Sequence, residues 1–191
     1  MSQTPNLQPS TPSAPPPAPT TLLATLKAFS TAQQTRADIQ RELEDALSSF
    51  LSNTPSTLET LPTAVSASTC ATEAIRPPNQ VELGEVLRIG FTGLLEVQQE
   101  VDTLQAVLRV VFKREDLADV LENVEKLEVE RLKETIQRDQ LRRLAVLAPE
   151  EDFNQAIADA NKRRGQLAQE INEESREIFA EIAELSAESQ S

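Results

Sequence analysis

Residues 87 to 111 read LRIGFTGLLEVQQEVDTLQAVLRVV, and the fold is decided here. Written in heptads, Leu87, Leu94, Val101 and Leu108 fall at one seam position, and Gly90, Val97, Leu104 and Val111 at the other. Four heptads at the coiled-coil spacing call for a helix of roughly 45 Å whose apolar seam must be covered by another helix. Upstream, Asn79 followed three residues later by Glu82 has the form of a capping box, which starts the helix. Gly90 and Gly93 each weaken a helix by about 1 kcal/mol relative to Ala. Two readings stay open for them: close approach of another backbone, or glycines that are merely tolerated.

Beyond the seam, Phe112 to Glu115 contains neither Gly nor Pro, yet the apolar phase changes there. A tight reversal is expected, with Asp116 capping a new helix and Asp119 in its first turn. That helix carries Leu117, Val120, Leu121, Val124, Leu127, Leu132, Ile136, Leu141 and Leu144, flanked by pairs such as Glu122 with Lys126. Ala148-Pro149 ends it. Pro149 followed by Glu150, Glu151 and Asp152 suits the first turn of a last helix, with acids set against the positive end of its dipole. Its stripe is Phe153, Ile157, Ala160, Leu167, Ile171, Ile178, Ile182 and Leu185, with Arg164 and Glu174 at seam positions.

On the amino-terminal side, proline is absent from residues 20 to 52, and Thr20 or Thr21 is placed to cap a helix. Leu22, Leu26, Phe29, Ala32, Ile39, Leu43, Ala46 or Leu47, and Phe50 recur in steps of three and four, as one amphipathic helix requires. Arg36 interrupts the stripe, so either it snorkels or an acid lies opposite it. Residues 53 to 78 carry Pro55, Pro62, Pro77 and Pro78 among Ser, Thr and Ala and read as a flexible loop. Residues 1 to 19 hold seven of the twelve prolines and no charge, and are expected to form a disordered tail. Thr4-Pro5, Thr11-Pro12 and Thr54-Pro55 are candidate proline-directed phosphorylation sites, and Ser13 to Pro19 offers a weaker candidate for a polyproline II ligand. The chain is therefore expected to be all-α, its long antiparallel helices forming a coiled-coil-like hairpin or small bundle.

Composition narrows the function. The chain has six Phe and no Trp or Tyr among 191 residues, so the core must be thin and aliphatic. It has no His, and Cys70 is its single cysteine, which removes Cys/His zinc sites, His-activated nucleophiles and any internal disulfide. No Walker-type or G-x-G-x-x-G run is present. Glu150, Glu151 and Asp152 are read as dipole complements rather than cation ligands, so no enzyme, metal or cofactor is expected. The net charge of -13 is uneven: residues 149 to 191 carry eleven acids against four bases, while residues 113 to 148 carry nine against eight. That balance disfavours direct DNA binding, which draws its affinity from neutralised phosphates. No apolar run approaches the ~20 residues of a membrane span. No basic residue precedes Lys27, which speaks against a secretory or transit segment. Cytosol or nucleus is the expected compartment.

Two stretches resemble a known family. Leu26-x-x-Phe29-x-x-Ala32-Gln33-x-x-Arg36-Ala37, then Leu43-Glu44 and Leu51, looks like the opening helix of the required-for-excision B family of DNA-repair proteins. Arg114-Glu115-Asp116-Leu117-Ala118, continuing from Val124 to Thr135, is similar to that family's closing helix. The resemblance covers roughly residues 22 to 145. It departs at Gln40 and Ala46-Leu47, where the family tends to carry Tyr and then Gly-Phe, and the stretch 53 to 78 looks like an insertion. The resemblance implies no catalytic residues. It implies a nuclear accessory role in excision repair and a three-helix family-like bundle over 20–148, leaving 149–188 as a separate acidic helix.

The expected function is that of a non-enzymatic adaptor with protein partners held by helix-helix packing. The alternative is a structural coiled-coil subunit of a larger assembly, such as a kinetochore, tethering or mediator-like complex. The expected packing seam is Leu87, Leu94, Val97, Val101, Leu104 and Leu108. The expected partner face, for another protein or a second copy, is Leu167, Ile171, Ile178 and Ile182 on the last helix.

Overall fold

The computed structural model describes residues 21–52 and 77–189, of which 90% are helical, with no strand among them. The expected tail at 1–19, the bulk of the loop at 53–78, Cys70 and the Thr-Pro sites lie outside the described residues. Four helices follow in order: α1 Leu22–Ser52, α2 Gln80–Val110, α3 Glu115–Leu147 and α4 Asn154–Glu188. Each packs antiparallel on the next and α4 returns against α1, so the molecule is an up-down-up-down bundle with α1 and α3 on a diagonal.

The helix ends follow from local chemistry. Thr21 Oγ1 accepts from the Ala24 backbone N–H at 3.1 Å and starts α1. At α2 the capping box is complete: Asn79 Oδ1 accepts from Val81 and Glu82 N–H, and the Glu82 carboxylate accepts from Asn79 N–H at 2.8 Å. The reversal between α2 and α3 turns on Lys113, whose φ of 57° is left-handed, and Arg114 N–H closes it onto Leu108 O at 3.0 Å. Val111, expected at the seam, has passed into this turn and is exposed.

Two starts differ from expectation. Asp116 does not cap α3; the helix begins at Glu115, and Asp116 lies in its first turn, where it accepts from Arg114 Nε at 3.0 Å. Pro149 to Asp152 do not form the first turn of α4. Glu151 N–H bonds back to Ala148 O at 3.0 Å, and Asp152 Oδ1 accepts from Asn154 N–H at 2.9 Å, so these residues make the turn and the helix starts at Asn154.

The core is concentrated toward the α2–α3 turn. Leu26 and Phe29 of α1, Val101, Leu104 and Leu108 of α2, Leu117 and Leu121 of α3, and Ile171 and Ile178 of α4 are buried together. The expected separation of 149–188 from 20–148 therefore gives way to one four-helix core. The charge of α4 does not oppose this docking, because Glu173, Glu174, Glu177 and Glu184 lie on its exposed face and are screened by solvent. Ser175, not Glu174, takes the inward position.

Along α1 and α2, Leu43 faces Gly90 and Ile39 faces Gly93. A Cβ on Gly90 would stand 2.5 Å from Leu43 Cδ2, and one on Gly93 3.0 Å from Ile39 Cδ1. Of the two readings of these glycines, close approach is the one found, although the neighbour is a side chain rather than a backbone.

Candidate functional site

Away from the turn, charged and polar side chains enter the bundle interior beside the buried Leu47, Leu83 and Leu167. On α1, Arg36, Gln40, Glu44 and Ser48 follow one another at intervals of four and so form one column along the helix. On α3, Glu125, Glu128, Arg131, Arg138 and Arg142 recur at compatible spacings and meet that column. Arg36 Nη2 lies 2.7 Å from Glu125 Oε1 and 2.8 Å from Oε2; it directs its hydrogen bond to Oε2, while Oε1 accepts none. Arg131 donates to Gln40 Oε1 at 2.6 Å and to Glu128 at 3.0 Å. Arg138 pairs with Glu44 and donates to Asp139 at 2.8 Å. Arg142 donates to Glu44 at 2.7 Å and to Ser48 Oγ at 2.9 Å. From α4, Arg164 reaches Thr135 Oγ1 at 2.9 Å.

The electrostatics follow burial. Burial pushes the Glu125 carboxyl up, and Arg36 offsets this only in part. Burial likewise raises Asp139 despite Arg138. At Glu44 burial is outweighed by Arg138 and Arg142, which hold the carboxyl below its ordinary value. Arg164 is lowered by burial first and then by Arg138. A ladder of this kind adds little net stability, because desolvation consumes most of the attraction. Its consequence is registry: α1 and α3 must align for every guanidinium to find an acceptor.

Beside the ladder lies a groove between α2 and α3. The two helices are tied together near their turn, where Gln105 donates to Ala118 O at 3.2 Å and Arg109 to Asp119 and Glu122 at 2.7 Å. Further along, Phe91, Leu94 and Leu95 of α2 and Val129 and Leu132 of α3 line a gap of about 180 Å³, with Arg36 and Glu125 also in its wall. Leu95 is 59% exposed and Val129 38%. The gap is smaller than the ~300–1,000 Å³ of a small-molecule pocket, and its apolar rim is open to solvent. Among the described residues no group of three or more Cys, Asp or Glu side chains is placed to hold a metal ion, and no helix is long and apolar enough to cross a membrane.

Comparison of the chain with protein-family models, with curated proteins and with solved structures finds no match in any of the three.

The expected seam residues Leu94, Val97, Val101, Leu104 and Leu108 are buried, and Leu87 is half-buried. The seam that holds Gly90 and Val97 runs one heptad further back than Gly90, to the buried Leu83. The expected partner face on the last helix is corrected. Leu167 and Ile178 are fully buried, Ile171 is 7% exposed, and Ile182 packs half-buried against the core, because α3 and α1 already cover this stripe. The heptad and stripe patterns alone do not single out the groove or the ladder. Their signals were present as the step-of-four column from Arg36 to Ser48, and as a second apolar edge on α2, Phe91 and Leu95, beside the heptad seam.

Proposed function

We propose that this protein is a non-enzymatic helical adaptor that holds another protein on the side of its bundle. The observation that carries the reading is the α2–α3 groove, whose exposed Leu95 and Val129 extend a buried apolar floor out to solvent. The excision-repair role and nuclear location implied by the resemblance belong to this proposal. In their support, the two family-like stretches meet: Arg36 of the first is the ion-pair partner of Glu125, which falls in the second. A structural subunit of a multi-protein assembly is the alternative, favoured by the four long helices, each more than thirty residues, that give the molecule a rod-like side rather than a cleft.

Affinity purification of the full chain from its own cells, followed by mass spectrometry, tests the reading. A recurrent protein in near-equimolar amount is expected, and repair factors among the partners would separate the first reading from the alternative. Recovery of the chain alone would count against both.

A further inference from the structure

We infer that the α2–α3 groove receives an amphipathic helix of a protein partner that sets a Lys or Arg among its apolar side chains; this rests on the adaptor reading above. The apolar gap runs into a second, polar section, and Gln98, Glu125 and Val129 line both, so the two form one continuous groove. From Phe91 to Gln105 it follows α2 for about 21 Å, the length of a helix of about 14 residues. The apolar section, with Phe91, Leu94, Leu95, Val129 and Leu132 in its walls, suits the helix-in-groove mode, with anchors at i, i+3 or i+4, and i+7.

Charge selects the occupant. The polar section brings Asp102, Glu122, Glu125 and Glu130 together with Lys126 and Lys133. Lys126 is already held by Glu122 at 2.7 Å, and Lys133 is an exposed side chain at the end of the section, seven residues along α3 from Lys126. Asp102 makes no ion pair among the described residues, whereas both carboxylate oxygens of Glu125 lie within 2.8 Å of Arg36 Nη2 and its Oε1 is shut off from solvent. Asp102 is exposed where it lines the groove, so a cation entering there gains from a carboxylate that no cation among the described residues holds.

The other occupants fit less well. Residues 1–20 of this chain carry no Lys or Arg, and residues 53–76 carry only Arg76. A second copy would bring the same acids, and a two-fold contact through this groove would set Asp102, Glu122 and Glu130 against like charge. Phosphate-rich surfaces are repelled for the same reason.

The test is a phage-displayed library of 14-residue helical peptides panned on the full chain, with Leu95→Glu and Asp102→Lys as comparison proteins. Both replaced side chains are exposed, so both variants should melt as the parent does by circular dichroism. Enriched peptides should carry apolar residues at i, i+4 and i+7 with a Lys or Arg beside them, and should bind each variant at least tenfold more weakly. Peptides that bind both variants as tightly as the parent would overturn the groove and leave the adaptor reading standing. Acidic or uncharged peptides that lose affinity at Leu95→Glu alone would overturn the cation. Enrichment no greater than that of phage without a peptide would overturn the proposal as a whole. Failure of the adaptor reading shows separately, as a chain that co-purifies with nothing.

Discussion

Arg36 and Glu125 stand 89 positions apart in the chain and form an ion pair at 2.7 Å between α1 and α3, with the Arg36 side chain only 5% exposed. The pair has a pH signature. Glu125 has its folded pKa raised above the ordinary 4.5, so the folded state takes up that proton first as pH falls from 7. Its contribution to stability therefore grows as pH drops through the folded value and is complete below 4.5. Glu44 has the opposite sign: its folded pKa lies below 4.5, and the stability it supplies is present above 4.5 and lost as pH falls through the folded value. The melting midpoint of the wild type relative to Glu125→Gln should rise between pH 7 and 4.5. Relative to Glu44→Gln it should hold through that range and fall below it. Parallel pH profiles for the two differences would contradict the assignment.

Leu104 of α2 and Ile178 of α4 are buried in one core. Truncation to Ala at either should cost about 2–5 kcal/mol, a large part of the ~5–15 kcal/mol that holds a domain together. Thermal melts of Leu104→Ala and Ile178→Ala should show comparable losses. A near-normal midpoint for Ile178→Ala would mean that α4 is an appendage.

The four glycines separate into two kinds. Nothing lies within 4 Å of a Cβ built on Gly84 or Gly165, so Ala at either should stabilise by about 0.5–1 kcal/mol through helix propensity and reduced unfolded-state freedom. At Gly90 a Cβ would meet Cγ and both Cδ atoms of Leu43 within 3.0 Å, and moving the Leu43 branch point disturbs the α1–α2 contact. Gly90→Ala should therefore destabilise despite the better propensity. Denaturant titration of the three variants decides the signs.

Duplex DNA should bind only weakly and without sequence preference at 150 mM salt. Most of the arginines on α3 are engaged by acids in the ladder, and the net charge of -13 opposes a polyanion. Fluorescence anisotropy with a labelled duplex measures this, and submicromolar affinity would turn the reading toward a nucleic-acid binder.

Much of the fold was legible in the sequence because its signals are local. The Asn79–Glu82 spacing gives the start of α2, the heptads from Leu94 to Leu108 give its buried side, and the phase change at Phe112 gives the reversal. The acids of α4 misled the assignment of its stripe. Composition alone suggests repulsion, but one residue in three or four faces inward, and Ile171, Ser175 and Ile178 are what α3 and α1 meet. The α2–α3 groove was not legible because it depends on how far two helices diverge beyond their turn, which no single helix encodes. Arg36 did announce that an acid could lie opposite; only the register of α1 on α3 shows that it is Glu125.

Partners held on the α2–α3 groove would depend on the exposed Leu95. The most direct measurement purifies wild type and Leu95→Glu side by side from the same cells. Leu95 is 59% exposed, so the variant should melt as the wild type does. The wild type should carry a near-equimolar protein partner that the equally stable variant has lost. A partner retained in equal amount by Leu95→Glu would contradict that dependence.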